Sequence, residues 1–435
     1  MRRPHFPVAV LGHQGHGKST LCAALALATG GQPLRGDPLD VRTCRAVTTS
    51  KRITLLDAPG GRRSVNAALR ACAVADAAVL VVSSTLGPQA QTRDHILAAR
   101  AAGLSIIVVI NDFRARSGSA RDRELLEACE FEVRGLLLDH GAGGDDAVVI
   151  IGADDDVNAG GVLAALDALP VTARDDEAAA LVRVLFFHSR LSSAAGVDRR
   201  EGQAIASGRV LAGTLKPGDS VRVLGLRGRI DGTCFCKLER EAEDARVRAH
   251  DVVARVSRLE IEGADVGTAH AGEHVGVQLA FPGAAPIVDR QSSMLVAATH
   301  AGPSTVLTAR LTLRPAAIGG RAHPLLAGFE CLAWTGSTST TCVVLPINAG
   351  GDDVVGDVDG SFDAAIVLGL PRYAPLGAPL VLTGDGGLVA SGVVVEGITQ
   401  RDAAGWFDRL NAVRTHHAAR RTGARRRRAL VGAVP

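Results

Sequence analysis

Gly12-His13-Gln14-Gly15-His16-Gly17-Lys18-Ser19 is the stretch on which the reading of this chain turns. It fits the pattern G-x4-G-K-[S/T]. The β-branched run Val8-Ala9-Val10-Leu11 precedes it, and Leu21, Leu25 and Ala28 follow at helical spacing. Strand, loop, helix is the context the pattern requires. Glycines let the backbone curl until its N–H groups face phosphate oxygens, and a helix N-terminus adds positive potential. Lys18 is placed to reach the β and γ phosphates, and Ser19 to offer a hydroxyl to Mg²⁺. The candidate nucleotide-binding stretch is therefore Gly12, His13, Gln14, Gly15, His16, Gly17, Lys18, Ser19 and Thr20. A plain glycine-rich turn would not need Lys-Ser at its end. His13 and His16 read as loop residues, since no cysteine or carboxylate spacing around them makes a metal set.

Working outward, Asp57-Ala58-Pro59-Gly60 ends a second apolar run, Ile53–Asp57, and matches D-x-x-G. Asp57 would hold Mg²⁺ through water, and the Gly60 N–H would meet the γ-phosphate. Further strands are expected at Ala78–Ser83, Ile106–Ile110 and Val148–Ile151, with helices from about Pro88 to Ala102 and through Leu125, Cys129, Val133 and Leu137. Ala46–Thr49 and Ile53–Leu56 read as a hairpin around Ser50-Lys51. The alternation predicts a parallel sheet with helices on both faces. Past Pro170 helical periodicity fades, and short Val/Leu/Ile runs alternate with turns such as Lys216-Pro217-Gly218-Asp219. That pattern predicts β-barrels, divided near Ala301-Gly302-Pro303. Residues 229–252 are highly charged and read as a surface excursion.

Composition narrows the classes. Of 435 residues, 47% are hydrophobic and 21% charged, which argues against disorder. No apolar run reaches the roughly 18 residues of a membrane helix, and the first strand begins too early to follow a secretory signal. Eight scattered cysteines, with only Cys234 and Cys236 close in sequence, give neither a disulfide framework nor a zinc pair. The expected setting is reduced and cytoplasmic. Net charge is +3, yet nine arginines against Asp402 and Asp408 place +7 in residues 401–435 and leave the body at −4.

The motifs resemble those of bacterial elongation factor Tu, a translational GTPase. Gly12-His13 with His16-Gly17-Lys18 is similar to that family's G-H-V-D-H-G-K-[ST], and Gly87–Leu97 to its G-P-M-P-Q-T-R-E-H-I-L. Glu124–Glu127 with Glu130–Arg134 resembles E-L-L-E…E-M-E-V-R. Ser207–Val210, Gly213–Asp219, Ala271–Gly276 and Gly319–Arg321 with Pro324 resemble its later motifs. The resemblance runs to about residue 398 and implies an α/β P-loop GTPase domain (1–172), a linker (173–182), two β-barrels (183–299 and 300–398) and an Arg-rich tail (399–435). It implies GTP/GDP as ligand with Mg²⁺, Ser19 and Asp57 as the metal residues, Asn111 at the base, Arg321 as a transfer-RNA contact, and aminoacyl-tRNA or the ribosome as partner. The Gly87–Leu97 block favours this branch over selenocysteine-specific factors or the GTPase of sulfate activation.

Departures from the family pattern shape the expected activity. The guanine-reading N-K-x-D is Asn111-Asp112-Phe113-Arg114, and Arg114 has only donors where a carboxylate accepts from guanine. D-C-P-G-H is Asp57-Ala58-Pro59-Gly60-Gly61, so Gly61 stands where the water-positioning histidine belongs. Arg62 and Arg63 read as surface residues. Only 38 residues separate Lys18 from Asp57, and the R-G-I-T-I effector segment is missing, although Thr43, Thr48 and Thr49 remain. Two functions are consistent: an elongation factor Tu-like GTPase with weakened hydrolysis, or a non-hydrolysing regulator that binds RNA or the ribosome. The tail could anchor RNA, since clustered arginines neutralise phosphates.

Overall fold

In the computed structural model of the protein the described residues are all except 1–2, 32–40, 61–63, 113–118, 145–146, 154–157, 191–201, 225–251, 283–293, 298–302, 316–322, 348–353, 357–359, 385–386, 400–401 and 417–435. Strand β1 (His5–Leu11) is buried along its whole length inside a six-stranded sheet. The order is β2 (Arg42–Val47), β3 (Arg52–Asp57), β1, β4 (Ala77–Ser83), β5 (Ser105–Asp112), β6 (Val149–Ala153). All pairings are parallel except the β2–β3 hairpin. Continuous apolar runs suit strands covered on both faces.

Helix α1 (Lys18–Ala28) turns Leu21, Cys22, Leu25 and Ala26 onto one face of the sheet. There they meet Val8, Val10, Val79 and Val109, with Val162 and Leu166 of α5 (Ala159–Ala168). Burying a leucine such as Leu21 or Leu25 stabilises by about 1.5–3 kcal/mol. Helices α2 (Ser64–Val74) and α3 (Ala90–Ala101) pack together over the other face, and α4 (Ala120–Asp139) rests on β5. The two helices expected from periodicity are thus α3 and α4.

The hairpin turn is fixed from the helix side. Lys51 is buried, with Nζ donating to the carbonyls of Leu166 and Asp167 at 2.8 Å and to that of Leu169. These are carbonyls at the α5 C-terminus, where a cation also meets the helix dipole. Asp167 returns the contact, accepting from the hydroxyls of Thr48, Thr49 and Ser50.

Seven further strands form the first barrel: β7 (Leu181–Arg190), β8 (Gly202–Ala212), β9 (Ser220–Leu224), β10 (Val252–Ile261), β11 (Ala264–Asp265), β12 (His274–Phe281) and β13 (Met294–Ala297). β10 pairs with both β12 and β9, which closes six strands, while β11 is an edge strand on β10. Alternate residues such as Val275, Val277, Leu279 and Phe281 point into its core. β7 begins at Leu181, inside the stretch expected as linker up to residue 182. This barrel holds the C-terminal end of α2. Arg183 Nη1 donates to the Ala73 carbonyl at 2.5 Å and Arg209 Nη1 to that of Val74 at 2.6 Å. Asp76 accepts from both Arg174 and Arg209 at 2.6 Å.

The α/β domain and first barrel form one compact unit, and the second barrel forms another. The second closes in the order β14 (Ser304–Leu313), β19 (Ser361–Arg372), β17 (Thr338–Pro346), β16 (Phe329–Thr335), β20 (Pro379–Gly384), β21 (Gly387–Ile398), with β15 (Leu325–Leu326) and β18 (Val354–Gly356) as a separate pair. After it, residues 404–416 form helix α6. Ala403 and Leu410 are buried with Trp406, Phe407 and Val413 against Val306, Val343, Leu345, Ala365 and Val367. Arg409 donates to the Pro346 and Ile347 carbonyls. The segment expected as a tail therefore starts as part of this barrel, because its apolar residues recur at i, i+3, i+4 and i+7 from Ala403. Of the charged excursion expected at 229–252, Val252 opens β10 and the rest, like residues 417–435, lies outside the described residues.

Candidate nucleotide phosphate site

β1 ends at the loop, and buried contacts set the loop's shape. Gly12 has φ of +138°, and a Cβ there would lie 2.2 Å from the Val81 carbonyl oxygen, so only glycine fits. Its N–H donates to His95 Nδ1 at 2.9 Å. His95 lies on α3; burial, then the charges of Lys18 and His13, push its pKa down to about 3, so the neutral ring accepts. The likeness of the Gly87–Leu97 block to its family counterpart does not by itself give His95 a role. From β5, Asn111 Nδ2 donates to the His16 carbonyl at 3.4 Å, while its buried Oδ1 has no partner among the described residues. Burial, with His13 beside it, holds His16 down at about 4.

The D-x-x-G turn lies against the loop. Gln14 N–H donates to the Gly60 carbonyl at 2.9 Å, and Lys18 Nζ donates to the His13 carbonyl at 2.8 Å. A Cβ on Gly60 would come within 2.5 Å of both Lys18 Nζ and Gln14 N. Lys18 is buried, and burial lowers its pKa from the ordinary lysine value while the Asp57 carboxylate raises it. Thr20 sits exposed on α1.

Ser19 Oγ donates to Asp57 Oδ2 at 2.8 Å, so the two residues expected to hold Mg²⁺ meet. A guanidinium meets them there. Arg42 Nη2 stands 2.5 Å from both Ser19 Oγ and Asp57 Oδ2. Mg²⁺ demands near-octahedral oxygens at about 2.0–2.1 Å. A dication about 4 Å from a guanidinium would be repelled by about 8 kcal/mol at an effective dielectric of 20. With Arg42 in place the arrangement does not fit magnesium: Asp57 is ion-paired with Arg42 and accepts from the Ser19 hydroxyl. No group of three or more His, Cys, Asp or Glu among the described residues could hold a metal ion.

Arg42 was not among the expected site residues, but its position follows from the hairpin. The β2–β3 register pairs Ala46 with Ile53 and, four residues on, Arg42 with Asp57. Directly opposed residues share a face of the sheet. Thr48 and Thr49, which remained as possible γ-phosphate sensors, are instead bound to Asp167 at the other end of the hairpin. Gly61, Arg62, Arg63, Arg114, Arg321 and the side chain of Asp112 lie outside the described residues.

The family model described as the elongation factor Tu GTP binding domain matches residues 34–170, and that for elongation factor Tu domain 2 matches residues 203–285. Together they span half of the chain. The chain belongs to the elongation factor Tu-like family of translational GTPases. Solved structures agree in fold. Translation elongation factor SelB from Methanococcus maripaludis, in complex with the GTP analogue GppNHp, is 18% identical over 92% of this chain and 81% of that chain, with a TM-score of 0.69. Its apo form gives 17%, with the same coverage and a TM-score of 0.68. A bacterial selenocysteine-specific elongation factor EF-Sec gives 18% over 90% of this chain and 58% of that chain, with a TM-score of 0.64. The elongation factor Tu GTP binding domain match begins beyond Gly12–Thr20, so that loop is read from its own sequence and geometry. No described helix is long and apolar enough to cross a membrane.

Proposed function

We propose that this protein binds a nucleotide through Gly12–Thr20 and serves protein synthesis in the cytoplasm as a slowly hydrolysing elongation factor Tu-like GTPase, with aminoacyl-tRNA or the ribosome as partner. The observation that carries the reading is the convergence of Lys18, Ser19 and Asp57 on a glycine-rich strand-to-helix loop. The family and the translation factors among its structural neighbours support the setting. Slow hydrolysis follows from Gly61, which offers no side chain to orient an attacking water. Weak guanine selectivity follows from Arg114: losing two charged hydrogen bonds at roughly 1.5–3 kcal/mol each weakens binding about a hundredfold to ten-thousandfold. A non-hydrolysing regulator is the second reading, favoured by the Arg42 guanidinium between Ser19 and Asp57.

GTP turnover by the purified protein, with and without ribosomes, separates these readings. The proposed function gives a slow rate above that of Lys18→Ala, and the regulator gives none. Ribosome-stimulated turnover as fast as that of an intact elongation factor contradicts both.

A further inference from the structure

We infer that Arg42 takes the place of a magnesium ion in this site, so that the protein binds a nucleoside diphosphate without a divalent cation. This rests on the nucleotide reading above and concerns how its phosphates are neutralised. Three observations carry it. One guanidinium nitrogen, Nη2, contacts both the Ser19 hydroxyl that would ligate the metal and the Asp57 carboxylate that would hold it through water. Asp57 is 3% exposed, so its carboxylate charge is spent inside the protein on this partner. The arginine is also not a passing surface side chain: its backbone is locked opposite Asp57 by a six-pair ladder from Arg42↔Asp57 to Val47↔Arg52.

The chemistry suits a phosphate ligand. Nη2 makes both contacts, and among the described residues the donors on Nε and Nη1 remain for phosphate oxygens held on the loop. Arginine binds phosphate in a planar, bidentate way and does so with its charge always present. Lys18 supplies the second positive charge, and α1 supplies a helix N-terminus. A diphosphate fits better than a triphosphate, because Gly60 lies against Lys18 and Gln14 and its carbonyl already takes the Gln14 N–H.

The test is calorimetric titration of the full-length protein with GDP, in EDTA and in magnesium buffer, for wild type, Arg42→Gln and Arg42→Lys. Thermal melts of each variant report folding. Wild type is expected to bind with a Kd that changes less than about twofold between buffers. Arg42→Gln is expected to lose about 10- to 100-fold in EDTA and to regain most of it when magnesium is added, because Ser19 and Asp57 are then released to the ion. Arg42→Lys, which keeps charge without the fork, should fall between them in EDTA. A wild-type affinity that collapses in EDTA overturns the inference and leaves the nucleotide reading standing, as does an Arg42→Gln protein that melts like wild type and binds equally well in both buffers. GppNHp binding more than about tenfold tighter than GDP overturns the diphosphate preference. Absence of GDP binding in every protein and both buffers overturns the nucleotide reading and the inference with it.

Discussion

Lys18 and Arg42 both bear on the same few ångströms of space, and only Lys18 belongs to a motif. Lys18→Ala is expected to reduce nucleotide affinity at least tenfold, since it removes the buried ammonium beside the loop; fluorescent-nucleotide titration measures it, and unchanged affinity would mean that the loop is vestigial. At the base, Arg114→Asp with Asp112→Lys should raise affinity for GTP while leaving ATP nearly unchanged, as checked by paired titrations with the two nucleotides. The loop, Asp57, Gly60 and Asn111 were legible because each sits in a pattern with a mechanism. Arg42 and His95 were not, for different reasons. His95 acts through a lone pair on one backbone amide, which leaves no spacing signature. Arg42 was recoverable, because extending the expected hairpin by four residues places it opposite Asp57.

At the scale of elements, the β2–β3 turn and the end of α5 hold each other. Lys51→Met should destabilise the α/β domain by about 1–3 kcal/mol, since it leaves buried carbonyls of Leu166 and Asp167 without their donor; urea unfolding monitored by circular dichroism reads this. Asp167 tests the same joint through pH. The hydroxyls of Thr48, Thr49 and Ser50 hold its carboxyl well below the ordinary range. A depressed folded pKa stabilises above the unfolded value of about 3.9, and that contribution is lost as pH falls through the folded pKa. Wild type should therefore melt a few degrees above Asp167→Asn at pH 7, and the gap should narrow only in acid below about pH 4. A gap independent of pH would assign the effect to shape alone. The strands of this domain were legible as continuous apolar runs, and α1, α3 and α4 from apolar residues at helical spacing, whereas α2 and α5 were not placed. The docking of helix α6 on the barrel was not legible, because its apolar stripe lies in a stretch where the arginine content dominates the composition. Trp406 and Leu410 show their purpose only once Val343, Leu345 and Val367 are placed beside them.

Over the whole molecule, the docked α6 changes where a tail can be cut. Deleting residues 401–435 should lower the melting temperature of the second barrel, since Val306, Val343 and Leu345 lose their cover. Deleting 417–435 should leave it unchanged and, if the remaining arginines anchor RNA, flatten the salt dependence of RNA binding. An equal salt slope with and without residues 417–435 would assign those arginines to solvent. The two-barrel architecture was legible from turns and short apolar runs, and the motif resemblance supplied the order of domains. What a motif cannot convey is whether an eroded site still binds, because that depends on charges meeting in space. The most direct test is equilibrium titration of the purified full-length protein with fluorescent GDP, GTP and ATP analogues. The account predicts saturable binding at one site, weakened at least tenfold in Lys18→Ala, with GTP preferred over ATP by less than about a thousandfold. No saturable binding of any nucleotide, or binding that survives Lys18→Ala intact, would contradict it.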